Sequence, residues 1–175
     1  ADLNVCLIER TEVIEHAMLA LLTGQHYLQL GPTGNAKSML VDALCLRLTG
    51  TRQFSKLLNG ATTPDELLGP IDLIKMADCG RYVRRHERSI AEADIAWLDE
   101  IGRGNEVIFD LLLKILNERK VDEIGMDEVL RLPLISLFGA SNSALCGNES
   151  LTAIDDRFFL RDEVPYIQEE ENFER

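Results

Sequence analysis

The sequence contains no apolar run approaching 18 residues, too little for a bilayer-spanning helix, and no basic-then-apolar leader at its start. Neither membrane insertion nor secretion is indicated, and the expected compartment is the cytoplasm. Cysteine is sparse: Cys6, Cys45, Cys79 and Cys146 are scattered without a close pair. They read as reduced thiols, Cys45 on a helix face, rather than as a disulfide or metal framework. Three histidines, none at ligand spacing, give zinc little support. Basic residues are in deficit. Eighteen Lys and Arg against thirty Asp and Glu leave a formal charge of −12, which argues against a general nucleic-acid surface. A local basic pore or groove stays compatible with that total. Part of the acidity lies in Glu169-Glu170-Glu171 and Glu174, read as a solvated chain end.

What is present suits one domain with a full core: 175 residues, 46% hydrophobic and 27% charged. The most informative stretch runs from Tyr27 to Ser38. A short apolar run meets a tight turn, Gly31-Pro32-Thr33-Gly34-Asn35-Ala36, and then Lys37 and Ser38 open a periodic helix. Backbone N–H groups at such a turn, with a helix N-terminus behind them, form a nest for phosphate oxygens. Lys37 can reach β- and γ-phosphates and the Ser38 hydroxyl can ligate Mg²⁺. Ala36 stands where the strict pattern has glycine, which requires helical dihedrals there, since positive φ penalises alanine. The alternative is an ordinary Gly/Pro turn ahead of a helix.

Ile95-Ala96-Trp97-Leu98-Asp99-Glu100 reads as a buried strand ending in two carboxylates. Asp99 is placed to hold Mg²⁺ and Glu100 to polarise a water in line with a γ-phosphate. A solvated acidic strand end is the bland alternative, weakened by the Lys37-Ser38 loop upstream. Asn142 follows the strand Leu134–Phe138; its amide could hold the attacking water, or sit in a polar turn. Arg157 offers a donor fork to a neighbouring subunit's phosphates or pairs locally with Asp155 or Asp156.

Along the chain, Val13, Ile14, Ala17, Met18, Leu21 and Leu22 predict a helix from Thr11, its possible cap, to Gly24, with His16 a structural residue. A strand at 26–30 follows. A helix over 37–49 turns Leu40, Ala43, Leu44 and Leu48 inward, and Gln53–Leu58 is the second strand. Thr63-Pro64-Asp65-Glu66 opens a short helix ended by Gly69-Pro70. Alternation at 80–84 suggests a projecting hairpin, where Arg81, Arg84, Arg85 and Arg88 form either a solvated rim or a partner contact. Asn105 begins a helix over 106–116 with Val107, Ile108, Leu111, Leu112 and Ile115 as its stripe. A second hairpin spans 120–124 and 128–132 about Gly125, a short helix occupies 150–156, and Phe158-Phe159-Leu160 is the final strand. Strand–helix alternation with apolar strands predicts an α/β fold with a parallel sheet covered on both faces. Lys37, Asp99 and Asn142 would then meet past the carboxyl ends of the strands.

Together these segments resemble the AAA+ ATPases, and within them the MoxR family, including its regulatory ATPase variant A branch. Gly31-Pro32-Thr33-Gly34-Asn35-Ala36-Lys37-Ser38 resembles that family's Walker A loop, where alanine before the lysine is usual. Trp97-Leu98-Asp99-Glu100-Ile101 resembles Walker B, and Gly102-Arg103-Gly104 stands where Asn-Arg-Ala is common. Leu111-Leu112 through Asn117-Glu118-Arg119-Lys120 resembles the following helix and its exit, and Ser141-Asn142 matches sensor 1. Leu151-Thr152-Ala153-Ile154-Asp155-Asp156-Arg157-Phe158 resembles the arginine-finger segment, with Thr152 where an acid is common.

The resemblance covers roughly residues 10–162. It implies a P-loop NTPase three-layer sandwich, a mostly parallel five-stranded sheet with hairpin insertions near 79–86 and 120–132, and an AAA+ core over 1–175. A helical lid follows that core in the family and is not expected within this chain. Implied too are ATP or ADP and Mg²⁺ as ligands, Glu100, Asn142 and Arg157 (in trans) as catalytic residues, and hexameric self-association. Protein clients and a von Willebrand factor A-domain partner complete the expectation, with nucleic acid not expected. The activity implied is ATP hydrolysis driving chaperone-like remodelling. Rival readings are a nucleotide-gated interaction module without useful hydrolysis, a stand-alone P-loop kinase, and a DNA-directed motor disfavoured by charge.

Overall fold

Short apolar strands separated by helices long enough to cross a sheet dictate parallel pairing, because each crossover carries the chain back to the starting edge. The computed structural model describes residues 3, 7–32, 34–80, 82–122 and 129–167. Cys6, Thr33, Arg81, the tip of the second hairpin and the acidic tail lie outside them. The elements are α1 (Thr11–Thr23), β1 (Tyr27–Leu30), α2 (Lys37–Cys45), β2 (Gln53–Leu57), α3 (Pro64–Leu68), α4 (Leu73–Cys79) and β3 (Ile95–Asp99). They continue as α5 (Glu106–Glu118), β4 (Lys120–Asp122), β5 (Val129–Arg131), β6 (Ser136–Ser141), α6 (Glu149–Asp155) and β7 (Leu160–Glu163).

Five strands form one sheet in the order β2-β3-β6-β1-β7, every pair parallel. Alternate side chains divide the core. Tyr27, Trp97, Phe138 and Ala140 pack with Val13, Ala17, Leu40 and Leu44 of α1 and α2. On the other face, Leu28, Leu98 and Leu137 pack with Leu67, Ile108, Leu112, Ile115 and Ile154 of α3, α5 and α6. This is the expected three-layer sandwich. Each fully buried aliphatic side chain contributes about 1.5–3 kcal/mol.

Local signals set several boundaries. Gly24 closes α1 in the left-handed region, its N–H bonding back to the last turn. The Glu66 carboxylate accepts the Thr63 N–H at 3.0 Å, completing a capping box at α3. Asn105 Oδ1 accepts the Ile108 N–H at 3.1 Å and starts α5.

Four expectations need correction. Arg10, not Thr11, is the residue that caps α1, and Met18 and Leu22 are exposed, because the sheet side of the helix is lined by Val13, Ile14, Ala17 and Ala20. The second helix ends at Cys45, leaving Leu48 exposed in the turns that run to Gly50. Among the described residues near 79–86 no strand pair forms. Asp72 accepts the N–H groups of Ile74 and Lys75, each at 3.1 Å, and starts α4, and left-handed Gly80 stops it. The return segment makes one antiparallel bridge, Ile71 to Arg84. Finally, β7 starts at Leu160 rather than Phe158. The Phe158 ring is drawn wholly into the core, edge-on to His26, while Phe159 is exposed. The second hairpin forms as expected from β4 and β5, with Val121 opposite Leu130.

Candidate functional site

Parallel register brings the strand ends level: Leu30 pairs with Ser141 on β6 and with Glu163 on β7, and Leu57 pairs with Asp99. A cavity of about 280 Å³ opens at these ends, lined by Gly34, Asn35, Ala36, Lys37, Ser38, Asp99 and Asn142. Residues 108 positions apart in the chain thus face one space.

The loop leaving β1 is fixed at its base. The Gly31 N–H donates to Ser141 O at 3.0 Å, and a Cβ at Gly31 would lie 2.4 Å from Val164 O, so only glycine fits. Lys37 is buried, and its Nζ donates to Gly31 O and Pro32 O at 2.7 Å each. Burial lowers its pKa from the ordinary lysine value, opposed by the charges of Asp99 and Glu100. Ser38 is exposed in the first turn of α2. Ala36 departs from the sequence expectation: its φ of 57° and ψ of 23° are left-handed, not helical. That conformation costs alanine about 1–2 kcal/mol, and it is compensated by the contacts around it. Gly34 also has positive φ, 87°. The backbone N–H groups of Gly34, Asn35 and Ala36 have no acceptor among the described residues. Unsatisfied donors in a turn of alternating hand, ahead of a helix N-terminus, are the chemistry of an anion cradle.

Across the cavity, Asp99 Oδ1 accepts the Glu100 N–H at 2.9 Å. Glu100 is buried and also left-handed, at φ 54° and ψ 44°. Two non-glycine residues in that region flank one cavity, a form of strain that concentrates at functional sites. The Asn142 amide donates to Glu100 Oε1, and Arg103 Nε lies 3.5 Å from Oε2. Sequence reasoning placed Asn142 beside Glu100 in role; its contact with the carboxylate itself, and that of Arg103, were not foreseen. The donor set fits phosphate and a divalent cation: a buried ammonium, free N–H groups, a hydroxyl and a carboxylate with one oxygen uncommitted among the described residues. Ser38 and Asp99 offer hard oxygen donors of the kind that could hold such a cation.

Arg157 does not line this cavity. It is exposed after α6 and has no side-chain ion pair among the described residues. Asp155 pairs instead with Arg161, Nη1 to Oδ2 at 2.7 Å, and Arg161 also donates to Asp155 O and Phe158 O at 3.0 Å. Arg161 was missed because its partner lies six residues back across a turn, outside helical spacing. Among the remaining basic residues, Arg84 pairs with Asp65 and Arg85 with Asp72, so much of the expected cluster is internally neutralised.

No helix among the described residues is long and apolar enough to cross a membrane. Two uncharacterised proteins of Methanocaldococcus jannaschii, MJ0812 and MJ0079, are each 40% identical over 174 and 171 residues, 99% and 98% of this chain. The chain spans 46% and 44% of their lengths, somewhat under half. Structural protein ORF618 of Acidianus two-tailed virus is 28% identical over 174 residues, 96% of this chain and 28% of its own. Among solved structures, a Cytophaga hutchinsonii protein provisionally described as an ATPase superposes with a TM-score of 0.72 at 20% identity, over 96% of this chain and 50% of that one. NtrX of Brucella abortus, solved with ATP, gives 0.62 at 16% identity, over 90% and 37%. The fold is thus that of the AAA+ α/β core. Residues 1–174 match the family described as the MoxR domain in the MoxR-vWA-beta-propeller ternary systems, and the chain belongs to that family.

Proposed function

We propose that this domain binds Mg·ATP at the ends of β1 and β3 and hydrolyses it to ADP and phosphate. The observation that carries the proposal is the cavity lined by Lys37, Asp99, Asn142 and loop residues whose N–H groups have no acceptor among the described residues, with Glu100 bonded to Asn142. The loop backbone from Gly31 through Thr33 to Ala36, with Lys37, holds the phosphate chain, and Ser38 and Asp99 hold the cation. The cation these two residues would hold would supply charge neutralisation to the phosphate chain.

Lys37 exchanges its two loop carbonyls for phosphate oxygens, so that its charged donor meets a charged acceptor as well. Glu100 accepts the proton of a water, and Asn142 holds the Glu100 carboxylate in place for it. Catalysis here is positioning and electrostatics, so a separate chain binds nucleotide but turns it over slowly. Exposed Arg157 completes the site of a neighbouring copy in a ring, hexameric by the family's habit. The family's description pairs MoxR domains with vWA and β-propeller proteins, and a vWA-domain partner fits the same picture. Work on a protein client is the output that joins these parts.

Glu100→Gln tests the assignment. The account expects ATPγS affinity within a few-fold of wild type and turnover of the full-length protein reduced about 10²-fold or more. Unchanged turnover removes Glu100 from the mechanism.

A further inference from the structure

The two residues where the chain leaves β7 gather contacts from three distant segments. The Val164 N–H donates to Leu30 O at 2.7 Å, extending the ladder with β1 past the end of β7. Val164 O receives the Asn35 side chain, Nδ2 to O at 2.6 Å, and the same carbonyl is the atom that Gly31 approaches too closely for any side chain. Pro165 O receives the Arg10 guanidinium from the start of α1. Asn35 and Val164 are both buried, so water does not compete for the bond.

Asn35 stands inside the loop, between the two left-handed residues Gly34 and Ala36. Asn35 lines the cavity and its backbone N–H has no acceptor among the described residues, while its side chain is committed to Val164 O, past the end of β7 and outside the loop. Backbone amide and side-chain amide of a single residue therefore join the phosphate cradle to the exit of β7. Ala36 gains no help from its own side chain in holding a disfavoured conformation, and the Asn35 tether is the adjacent side-chain bond that restrains it.

We infer that Asn35 is a positioning residue that holds the phosphate loop in register with the segment 164–167, so that nucleotide binding and the position of that segment are coupled. The inference rests on the nucleotide site proposed above. A carboxylate at position 35 has the same shape but no donor and would set negative charge against Val164 O. Asn35→Asp therefore breaks the tether while leaving the backbone path open, and Asn35→Gln keeps a donor on a longer arm.

The test uses the full-length protein with Mg·ADP, read by calorimetry and by hydrogen exchange of the peptide spanning 160–167. In wild type, ADP slows exchange across this peptide. In Asn35→Asp, affinity falls about tenfold, the loss of one buried hydrogen bond, and the ADP-dependent protection at 160–167 disappears while that of the peptide containing Lys37 persists. Asn35→Gln recovers part of the protection. Where Asn35→Asp fails to fold, Asn35→Ser removes the amide without adding charge and is held to the same outcomes. Wild type that binds no ADP overturns the nucleotide site itself. Wild type that binds ADP, with Asn35→Asp or Asn35→Ser matching it in affinity and in protection at 160–167, overturns the positioning role alone.

Discussion

His26, just ahead of β1, is held neutral chiefly by burial. Its Nε2–H donates to Leu116 O at 3.1 Å, and its Nδ1 accepts the Leu137 N–H at 3.0 Å. Both ring positions are thus committed, and a second ring proton would confront a backbone donor. Burial, with the charge of Arg119 as the next contribution, lowers its pKa from 6.5 to about 4. The unfolded chain binds a proton below about pH 6.5 that the folded chain refuses, so the folded pKa lies below the unfolded one. Stability is then flat above pH 6.5 and falls as pH drops toward 4, by about 3 kcal/mol in all. Urea midpoints at pH 7.5 and 4.5, compared between wild type and His26→Gln, check this; equal pH dependence in both contradicts it. Ala36 offers a second test at this scale. Ala36→Gly relieves the left-handed penalty at some cost in chain entropy, and a net gain of about 0.5–1 kcal/mol is expected in thermal or urea unfolding. A loss of stability would mean that the alanine methyl contributes more through packing than its backbone costs.

Among the elements, those legible in the sequence are the ones whose signals are local and agree. Apolar run, glycine turn and lysine fix β1 and α2, and Asn105 with Ile108, Leu112 and Ile115 fixes α5, although Val107 of the expected stripe is exposed. Asp99 at the end of an apolar strand and Asn142 at the end of another put the acidic side of the cavity within reach of sequence reasoning. Elements governed by distant partners were not legible. Helix α4 is seven residues capped by Asp72, whose carboxylate also meets Arg85 from the returning segment, and the alternation at 80–84 spoke louder than either. The displaced start of β7 follows from Phe158 filling the space beside His26 and from Arg161 gripping the end of α6. The left-handed Ala36 could not be read either, since the side-chain bond beside it joins Asn35 to Val164, 129 positions away. That grip by Arg161 carries a prediction. Arg161→Ala removes three hydrogen bonds around Asp155 and Phe158, one to a half-buried carboxylate; stability falls by about 1–3 kcal/mol, and turnover of the assembled protein falls because the turn that presents Arg157 loosens. Denaturation together with an ATPase assay reads both, and unchanged turnover would detach Arg157 from the support of Arg161.

For the whole molecule, the site is divided between what one chain holds and what it does not. Lys37, Ser38, Asp99 and Asn142 line one cavity with Glu100 bonded to Asn142, whereas Arg157 is exposed and does not line it. Under the proposed function, binding belongs to the single chain and rate to the assembly. Arg157→Ala is expected to leave nucleotide affinity within a few-fold and to lower turnover on the order of 10³-fold in assembled protein. In a verified monomer the same substitution should leave the low basal rate unchanged, and an equal loss there would point to folding instead. Net charge of −12 belongs to this scale too, and it argues against a general phosphate-backbone surface. The central claim is that a triphosphate sits in the cradle formed by residues 31–38, and calorimetric titration of the full-length protein with Mg·ATPγS measures it directly. The account predicts one site per chain, with affinity reduced about 100-fold or more by Lys37→Ala, whose ammonium would contact the phosphates. Absence of binding, or equal affinity in Lys37→Ala, would contradict it.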